Sequence, residues 1–440
     1  MKVAVIGTGH VGLVTSVALA ASGHHVVGTD ADPEKMSLLE RGIAPFYEPG
    51  LQEALDSETA ARRLSFNGDP REALVGAEII FICVGTPARA NGNANLVAIE
   101  RAASDVARYA ADGVVIVEKS TVPAGTADRV RLTIQRENPR LKFDVTSNPE
   151  FLRESTAIED MLRPSRILVG SESERGFEVM RRLYEPLVRA GCPLLETDIR
   201  TAELAKHASN AFLALKISFA NALARVCERA SADVVAVADV MGADPRIGRA
   251  FLDAGLGYGG YCFPKDVVAL ERLATGLGYD FRLLKEVGRL NAEAMDAVAD
   301  KVEDALWNLE DKRVALLGLA YKPGTDDVRF SPSLALAGRL LASGAHVVGY
   351  DPRAGANAKD ELPELEVAND AYAAATGAHC LVVGTDWEEF RHLDLQRLKA
   401  VMAYPVVVDG RNALDAAALA VAGFTYYPVG RPPTLQGLHP

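Results

Sequence analysis

Lys2-Val3-Ala4-Val5-Ile6-Gly7-Thr8-Gly9-His10-Val11-Gly12 decides how the rest of the chain reads. A short apolar strand runs into three glycines, and the residues beyond them carry apolar side chains at helical spacing. In a strand–turn–helix unit, the first glycine makes the tight turn and the second lets the backbone approach a pyrophosphate. The third lets the helix pack on the strand, and the helix N-terminus turns its amides toward the anion. The glycine pattern alone is a weak sign. It gains force because the next strand, His24 to Thr29, ends in Asp30, where a carboxylate about twenty residues on holds ribose hydroxyls. An acid there repels a 2′-phosphate, so NAD is expected rather than NADP, with Lys35 near enough to soften the preference. Gly7, Gly9, Gly12 and Asp30 are the expected cofactor contacts.

The cadence returns from residue 312. Lys312 to Gly318 reads as a strand entering a loop and Leu334 to Ser343 as the following helix. Ala345-His346-Val347-Val348-Gly349-Tyr350-Asp351 then answers His24-His25-Val26-Val27-Gly28-Thr29-Asp30 almost residue for residue. Further apolar runs, Glu78 to Val84, Val114 to Glu118, Phe143 to Thr146, Ile167 to Gly170, Cys380 to Gly384 and Val406 to Asp409, read as buried strands. Strands alternating with helices imply mostly parallel sheets covered on both faces. The expected fold is α/β: two Rossmann-like, doubly wound domains, here 1–200 and 311–440, joined through 201–310. Within that middle segment Thr201 to Ala243 reads as one long helix, with a second helical stretch from Asp266 to about Leu309. Small residues Ala211, Ala214, Ala220, Ala222 and Ala224 permit close helix contact, either within the chain or across a dimer. The last ten residues, with Pro432, Pro433 and Pro440, read as a loose tail.

A length of 440 residues calls for two or three domains, and 49% apolar residues can fill their cores. The net charge of −12 argues against nucleic acid or an anionic membrane as partner. Met1-Lys2 leads straight into a strand, with no leader pattern and no long uncharged apolar span, so a cytoplasmic protein is expected. Five scattered cysteines show no CxxC or Cys/His spacing, so neither a disulfide framework nor a metal site is suggested.

Gly257-Tyr258-Gly259-Gly260-Tyr261-Cys262-Phe263-Pro264-Lys265-Asp266 sets one cysteine in a loop nearly free of side-chain bulk. Such a thiol is either buried and inert or a nucleophile, and a nearby cation such as Lys265 or Lys206 would favour the reactive thiolate. In Asn148-Pro149-Glu150-Phe151-Leu152-Arg153-Glu154 a desolvated Glu can serve as a general base, although the segment by itself fits a solvated Glu–Arg pair better. Lys206 and Asn210, four apart, project from one side of a helix, with Glu203 near enough to flank them. A lone surface lysine is the commoner explanation. Arg246, Lys322 and Arg329 are further cations for an anionic substrate. A thiol beside NAD has a specific use: it adds to an aldehyde, the adduct gives up hydride, and the thioester is hydrolysed to an acid.

With these segments in place the chain closely resembles the UDP-glucose/GDP-mannose dehydrogenase family. The likeness spans Gly7 to about Arg411. It rests on Phe46-Tyr47-Glu48-Pro49-Gly50-Leu51, Val84-Gly85-Thr86-Pro87, Lys119-Ser120-Thr121-Val122-Pro123, the Ser147 to Glu154 run, Lys206 with Asn210, the Cys262 loop and Gly318-Leu319-Ala320-Tyr321-Lys322. The resemblance implies a four-electron oxidation of a nucleotide-sugar C6 alcohol to a carboxylate with two NAD in turn. It makes Cys262 the nucleophile, Glu150 the acid/base for thioester hydrolysis and Lys206 a stabiliser or proton relay, supported by Asn210 and Asp266. Thr121 would position water or cofactor. It puts cofactor contacts on Val11, Asp30, Lys35, Thr86, Thr121, Glu154, Lys265 and Arg329. The nucleotide sugar would lie along Glu150, Phe151, Leu152, Arg153 and Glu154, Lys206 and Asn210, Phe251, Leu252, Asp253, Ala254 and Gly255, Gly259, Lys322 and Arg411. Arg246 would reach over from the second subunit of a homodimer built on the long helix. Ser155-Thr156 stands where a glycine is usual among the UDP-glucose enzymes and resembles the GDP-mannose branch. Phe330 stands where an acid is customary, and Asn93 and Asn95 lie in a loop often richer in Asp. The runs from Leu162 to Ile167 and from Arg246 to Gly255 look like the UDP-glucose branch, so UDP-glucose is the expected substrate and GDP-mannose the alternative. A silent NAD-binding sensor would need neither Cys262, Lys206 nor Glu150.

Overall fold

The computed structural model describes residues 1–87, 89 and 92–435, which form two compact units, 1–209 and 210–440. In the first unit eight strands form one sheet: β1 (Lys2–Ile6), β2 (His25–Thr29), β3 (Leu64–Phe66), β4 (Ile79–Ile82), β5 (Val114–Glu118), β6 (Phe143–Ser147), β7 (Ile167–Ser171) and β8 (Leu194–Thr197). Their order is β3-β2-β1-β4-β5-β6-β7-β8, so the first six follow the doubly wound dinucleotide-binding order. All neighbours are parallel except β6 and β7, which meet antiparallel at Thr146–Ser171 and Ser147–Gly170. β4 and β5 are buried along their whole length, as strands covered on both faces must be. Alternate side chains feed two cores. Val3, Val5, Phe81, Val115 and Val117 pack on one face, and Ala4, Ile6, Ile80, Ile82 and Ile116 on the other.

The second unit carries β9 (Arg313–Leu317), β10 (His346–Tyr350), β11 (Glu366–Val367), β12 (Cys380–Val383), β13 (Val406–Asp409) and β14 (Thr425–Pro428). Their order, β11-β10-β9-β12-β13-β14, repeats that of the first unit's six leading strands. The fold is therefore two parallel-sheet α/β domains of one design joined by a long central helix, Ile199–Arg229, and the boundary between the units falls inside that helix. Among the described residues no helix is long and apolar enough to cross a membrane.

Three expectations need correction. The helix expected from Thr201 to Ala243 is two helices, Ile199–Arg229 and Val234–Gly242, broken where Ser231 takes φ 54° and Asp233 caps the second through Val235 N. The stretch from Asp266 to Leu309 is likewise two, Cys262–Gly276 and Arg282–Leu306, parted at Gly278, whose φ is 82°. The tail is not loose where it is described. Thr434 exchanges both backbone hydrogen bonds with Tyr426, at 2.8 and 2.9 Å, and Arg431 pairs with Asp233. Pro440 lies outside the described residues.

Candidate active site

In the first unit the carboxyl ends of β1, β4, β5 and β6 carry the Gly7–Gly12 turn, the Cys83–Pro87 segment, Lys119–Pro123 and Asn148–Glu154 respectively. A Cβ on Gly12 would stand 1.8 Å from the Gly7 carbonyl oxygen, whereas one on Gly9 would meet nothing within 4 Å. The turn is closed on its inner side and open at Gly9, which suits backbone approach to a pyrophosphate. Asp30 accepts from the Thr8 amide at 2.7 Å and from Lys35 Nζ at 2.9 Å. Burial works against its charge, yet these donors hold its carboxyl below the usual range. Lys35 thus ties down Asp30 itself. Val11 lies half-buried in the first helical turn. Buried Thr86 donates to the Thr121 carbonyl at 2.9 Å, joining the two loops that end β4 and β5.

Glu150 and Lys206 form an ion pair at 2.9 Å with both side chains nearly sealed from water. The other Glu150 oxygen accepts from the Leu152 amide at 2.8 Å. The solvated Glu–Arg pair is therefore not what forms, because Arg153 turns outward to a bidentate contact with Asp160. Phe151 lies under the Arg166 guanidinium at 3.7 Å, with Lys206 Nζ 5.3 Å from its ring centroid. Glu154 is buried. Ser155 takes φ 71°, the left-handed region that explains a glycine being usual there. Its amide, with that of Ala157, is held by the buried Glu48 carboxylate at 2.8 Å each, and His10 Nε2 stands 3.1 Å from the same group. The Glu203 carboxylate is engaged with backbone amides. It accepts from those of Gly125 and Ala127 at 2.6 and 3.0 Å, closing the start of helix Thr126–Glu137.

In the second unit Cys262 is half-buried and opens the helix Cys262–Gly276, with Pro264 in its first turn. The glycines before it are packed rather than open. A Cβ on Gly259 would stand 2.3 Å from the Phe330 carbonyl oxygen, and one on Gly260 2.7 Å from the Tyr321 ring. Asp266 is fully buried. It accepts from Asn210 Nδ2 at 2.6 Å and Lys265 Nζ at 2.7 Å. Lys265 and Arg329 lie 5.7 and 4.7 Å from the Tyr261 ring centroid, and Arg329 also forks onto Asp327. Phe251 and Phe330 both have positive φ, 66° and 52°. Leu252, Ala254 and Gly255 are buried, and the Gly255 amide donates to Asn221 at 2.7 Å. Asp253 pairs with Arg249. Burial lowers the Arg411 pKa, and its guanidinium donates to the Gly384 carbonyl at 2.9 Å. Lys322 Nζ stands 5.8 Å from the Tyr321 ring centroid. Arg246 is largely exposed and forks onto Asp244. Sequence reading assigned no role to Glu48, His10, Arg166, Lys119, Asn148 or Tyr184, whose partners lie far off in the chain.

Fold and glycine turn together define a dinucleotide-binding protein. The chain belongs to the UDP-glucose/GDP-mannose dehydrogenase family: the model of the family's NAD binding domain matches residues 1–188, that of its central domain 200–293 and that of its UDP binding domain 315–416. NAD is its cofactor. The chain is 44% identical over 436 residues to a UDP-glucose 6-dehydrogenase of Rhizobium meliloti (strain 1021), covering 98% of this chain and 100% of that one. It is 43% identical over 433 residues to the UDP-glucose 6-dehydrogenase YwqF of Bacillus subtilis (strain 168), covering 98% of each. A UDP-glucose dehydrogenase structure from the hyperthermophilic archaeon Pyrobaculum islandicum superposes with a TM-score of 0.91 at 38% identity, over 98% of both chains.

Proposed function

We propose that this chain oxidises the C6 alcohol of UDP-glucose to the carboxylate of UDP-glucuronate through a covalent adduct on Cys262. What carries the reading is the placing of Cys262 at the head of a 15-residue helix that also bears the Lys265–Asp266 pair joined to Asn210. A helix N-terminus favours an anion such as a thiolate. Bound NAD supplies the hydride acceptor, once per oxidation and twice per turnover. Lys206 steadies the alkoxide as the first hydride leaves C6, and the Cys262 thiolate adds to the resulting aldehyde. The thiohemiacetal gives up a second hydride and becomes a thioester. Water then attacks the carbonyl, Glu150 accepts its proton, the C–S bond breaks, and sulfur departs as thiolate. Asn210 and Asp266 hold the surroundings, Thr121 positions water or cofactor, and Gly7, Gly9, Val11, Gly12, Asp30, Lys35, Thr86, Glu154, Lys265 and Arg329 hold NAD. The sugar nucleotide runs along Glu150 to Glu154, Phe251 to Gly255, Gly259, Lys322 and Arg411.

The functional segments are 1–200 for NAD, 201–310 for the thiol and dimer contacts, and 311–440 for the nucleotide sugar. Leu204, Phe212, Phe219 and Val226, all exposed, recur on the central helix at intervals of eight, seven and seven residues. Such a stripe fits a homodimer, in which Arg246 serves the second subunit's substrate, and a cytoplasmic location goes with this metabolism. Ser155-Thr156, which resembles the GDP-mannose branch, keeps GDP-mannose as the second reading. NADH released per sugar nucleotide consumed, measured with UDP-glucose and GDP-mannose side by side, tests both: two NADH with UDP-glucose alone is expected, and a ratio near one with either defeats the acid-level mechanism. Cys262→Ala should still bind NAD and form no acid.

A further inference from the structure

Lys119 takes no part in the chemistry above, yet the fold keeps it at a cost. Its residue is 3% exposed, and among the described residues no carboxylate lies within ion-pair distance of its Nζ. Its hydrogen-bond partners are neutral and both belong to Asn148: the side-chain oxygen at 3.0 Å and the main-chain carbonyl at 3.3 Å. Asn148 is in turn held on every side. Its amide donates to the Glu118 carbonyl at 2.8 Å, its Nδ2 to the Leu168 carbonyl at 2.7 Å, and Tyr184 donates to its Oδ1 at 2.5 Å. From this anchor the chain reaches Glu150 through one residue, Pro149, whose ring fixes φ. A lysine buried without a counter-ion is a poor way to stabilise a core, since an apolar side chain of like volume serves better. Its retention points to the site it serves.

We propose that Lys119 is a positioning residue for the hydrolytic half of the reaction, clamping Asn148 so that Glu150 faces the thioester-attacking water. The inference rests on the reading of Glu150 given above. Charged and titratable groups around Lys119 come from four directions: Cys83 after β4, Glu118 at the end of β5, Glu150 after β6 and Lys206 on the central helix. Desolvation brings the Lys119 ammonium down to about 8, with the Glu150 and Glu118 carboxylates opposing the fall and Lys206 adding to it. The clamp is thus a cation at neutral pH.

Rapid mixing of the full chain with UDP-glucose and saturating NAD separates this role from a general structural one. For Lys119→Met we expect a burst approaching two NADH per chain, followed by steady turnover at least tenfold slower than the natural chain, with NAD and UDP-glucose affinities within about twofold. Glu150→Gln should show the same burst. Lys119→Arg, which keeps the charge and the donors, should recover part of the steady rate. Should Lys119→Met fail to fold, Lys119→Gln, which keeps a donor and loses the charge, carries the same expectation. An unchanged steady rate, or burst and steady phases slowed alike, overturns the proposal. A natural chain that makes no acid from UDP-glucose sinks instead the reading on which it rests.

Discussion

Replacing Lys119 by methionine should make the first unit more stable at neutral pH and less stable in alkali. Burial takes the Lys119 pKa from its ordinary 10.5 to about 8, which at 1.36 kcal/mol per pH unit corresponds to about 3 kcal/mol of folding free energy lost at pH 7. A folded-state pKa below the unfolded one means that between about 8 and 10.5 the unfolded chain binds the extra proton. Stability of the natural chain therefore rises with pH across that window, and the penalty is fully present below it. Against this, methionine forfeits two hydrogen bonds to Asn148, roughly 1 kcal/mol each, while Tyr184 still serves the Asn148 side-chain oxygen. The variant should gain about 1 kcal/mol at pH 7 and lose about 2 kcal/mol near pH 10.5. Trp307 and Trp387 both lie in the second unit, so fluorescence would report the wrong half. Labelling of the buried Cys83 thiol, followed by mass spectrometry of its peptide, reports opening of the first unit. At each pH the intrinsic thiol reactivity cancels between the two proteins. Parallel opening profiles for natural chain and variant from pH 7.5 to 10 would refute the reasoning, whatever their offset.

Three further outcomes are expected. Gly12→Ala drives a Cβ toward the Gly7 carbonyl oxygen, 1.8 Å away, and should weaken NAD at least tenfold by calorimetry and lower first-unit stability by about 2 kcal/mol or more; unaltered NAD affinity counts against the cofactor site. Asp351→Ala should leave NAD affinity alone yet destabilise the second unit by about 3 kcal/mol, read from Trp387 fluorescence in urea, and an NAD defect without a stability loss would contradict this. If the proposed homodimer forms through the exposed stripe, the natural chain should sediment as a dimer and Phe219→Asp as a monomer; a dimeric variant moves the interface elsewhere.

Strands and cofactor turn were legible because they are local. The run Val114–Glu118 can only be a strand buried on both faces, and Gly7 to Gly12 announces its turn within six residues. The helix break after Arg229 was not, because no proline or glycine marks residues 230–233. It is set instead by Gly430, whose carbonyl takes the Val234 amide at 2.8 Å, and by Arg431 on Asp233. The glycines before Cys262 masked a helix start, since what they accommodate, the Phe330 carbonyl and the Tyr321 ring, lies some sixty to seventy residues on. Glu150 read better as a surface residue because its partner Lys206 is far away in the chain. The same distance hid Glu48, whose carboxylate holds Ser155 and Ala157.

The two sheets share one strand order and end their second strand in an equivalent acid, but the acids have parted in use. Asp30 takes three donors on one oxygen, the Thr8 amide and hydroxyl and Lys35 Nζ, but only the Asp32 amide on the other, which keeps a lone pair, and its side chain stays partly open to solvent. Asp351 is buried and accepts from five donors: the amides of Leu319, Ala320, Arg353 and Ala354 and the Trp387 indole. A carboxylate has about four lone-pair sites, so Asp351 has no capacity left for a pair of ribose hydroxyls. In the first unit the strand-end acid remains available to a ligand; in the second it staples the Gly318 turn to the rest of the sheet. The second unit therefore cannot recognise a nucleotide as the first does. If it holds one, the contacts must come from cations such as Lys322 and Arg411 acting on phosphate and from backbone groups. That is a reason for two copies of one fold to take different halves of a reaction, a dinucleotide in one and a nucleotide sugar in the other.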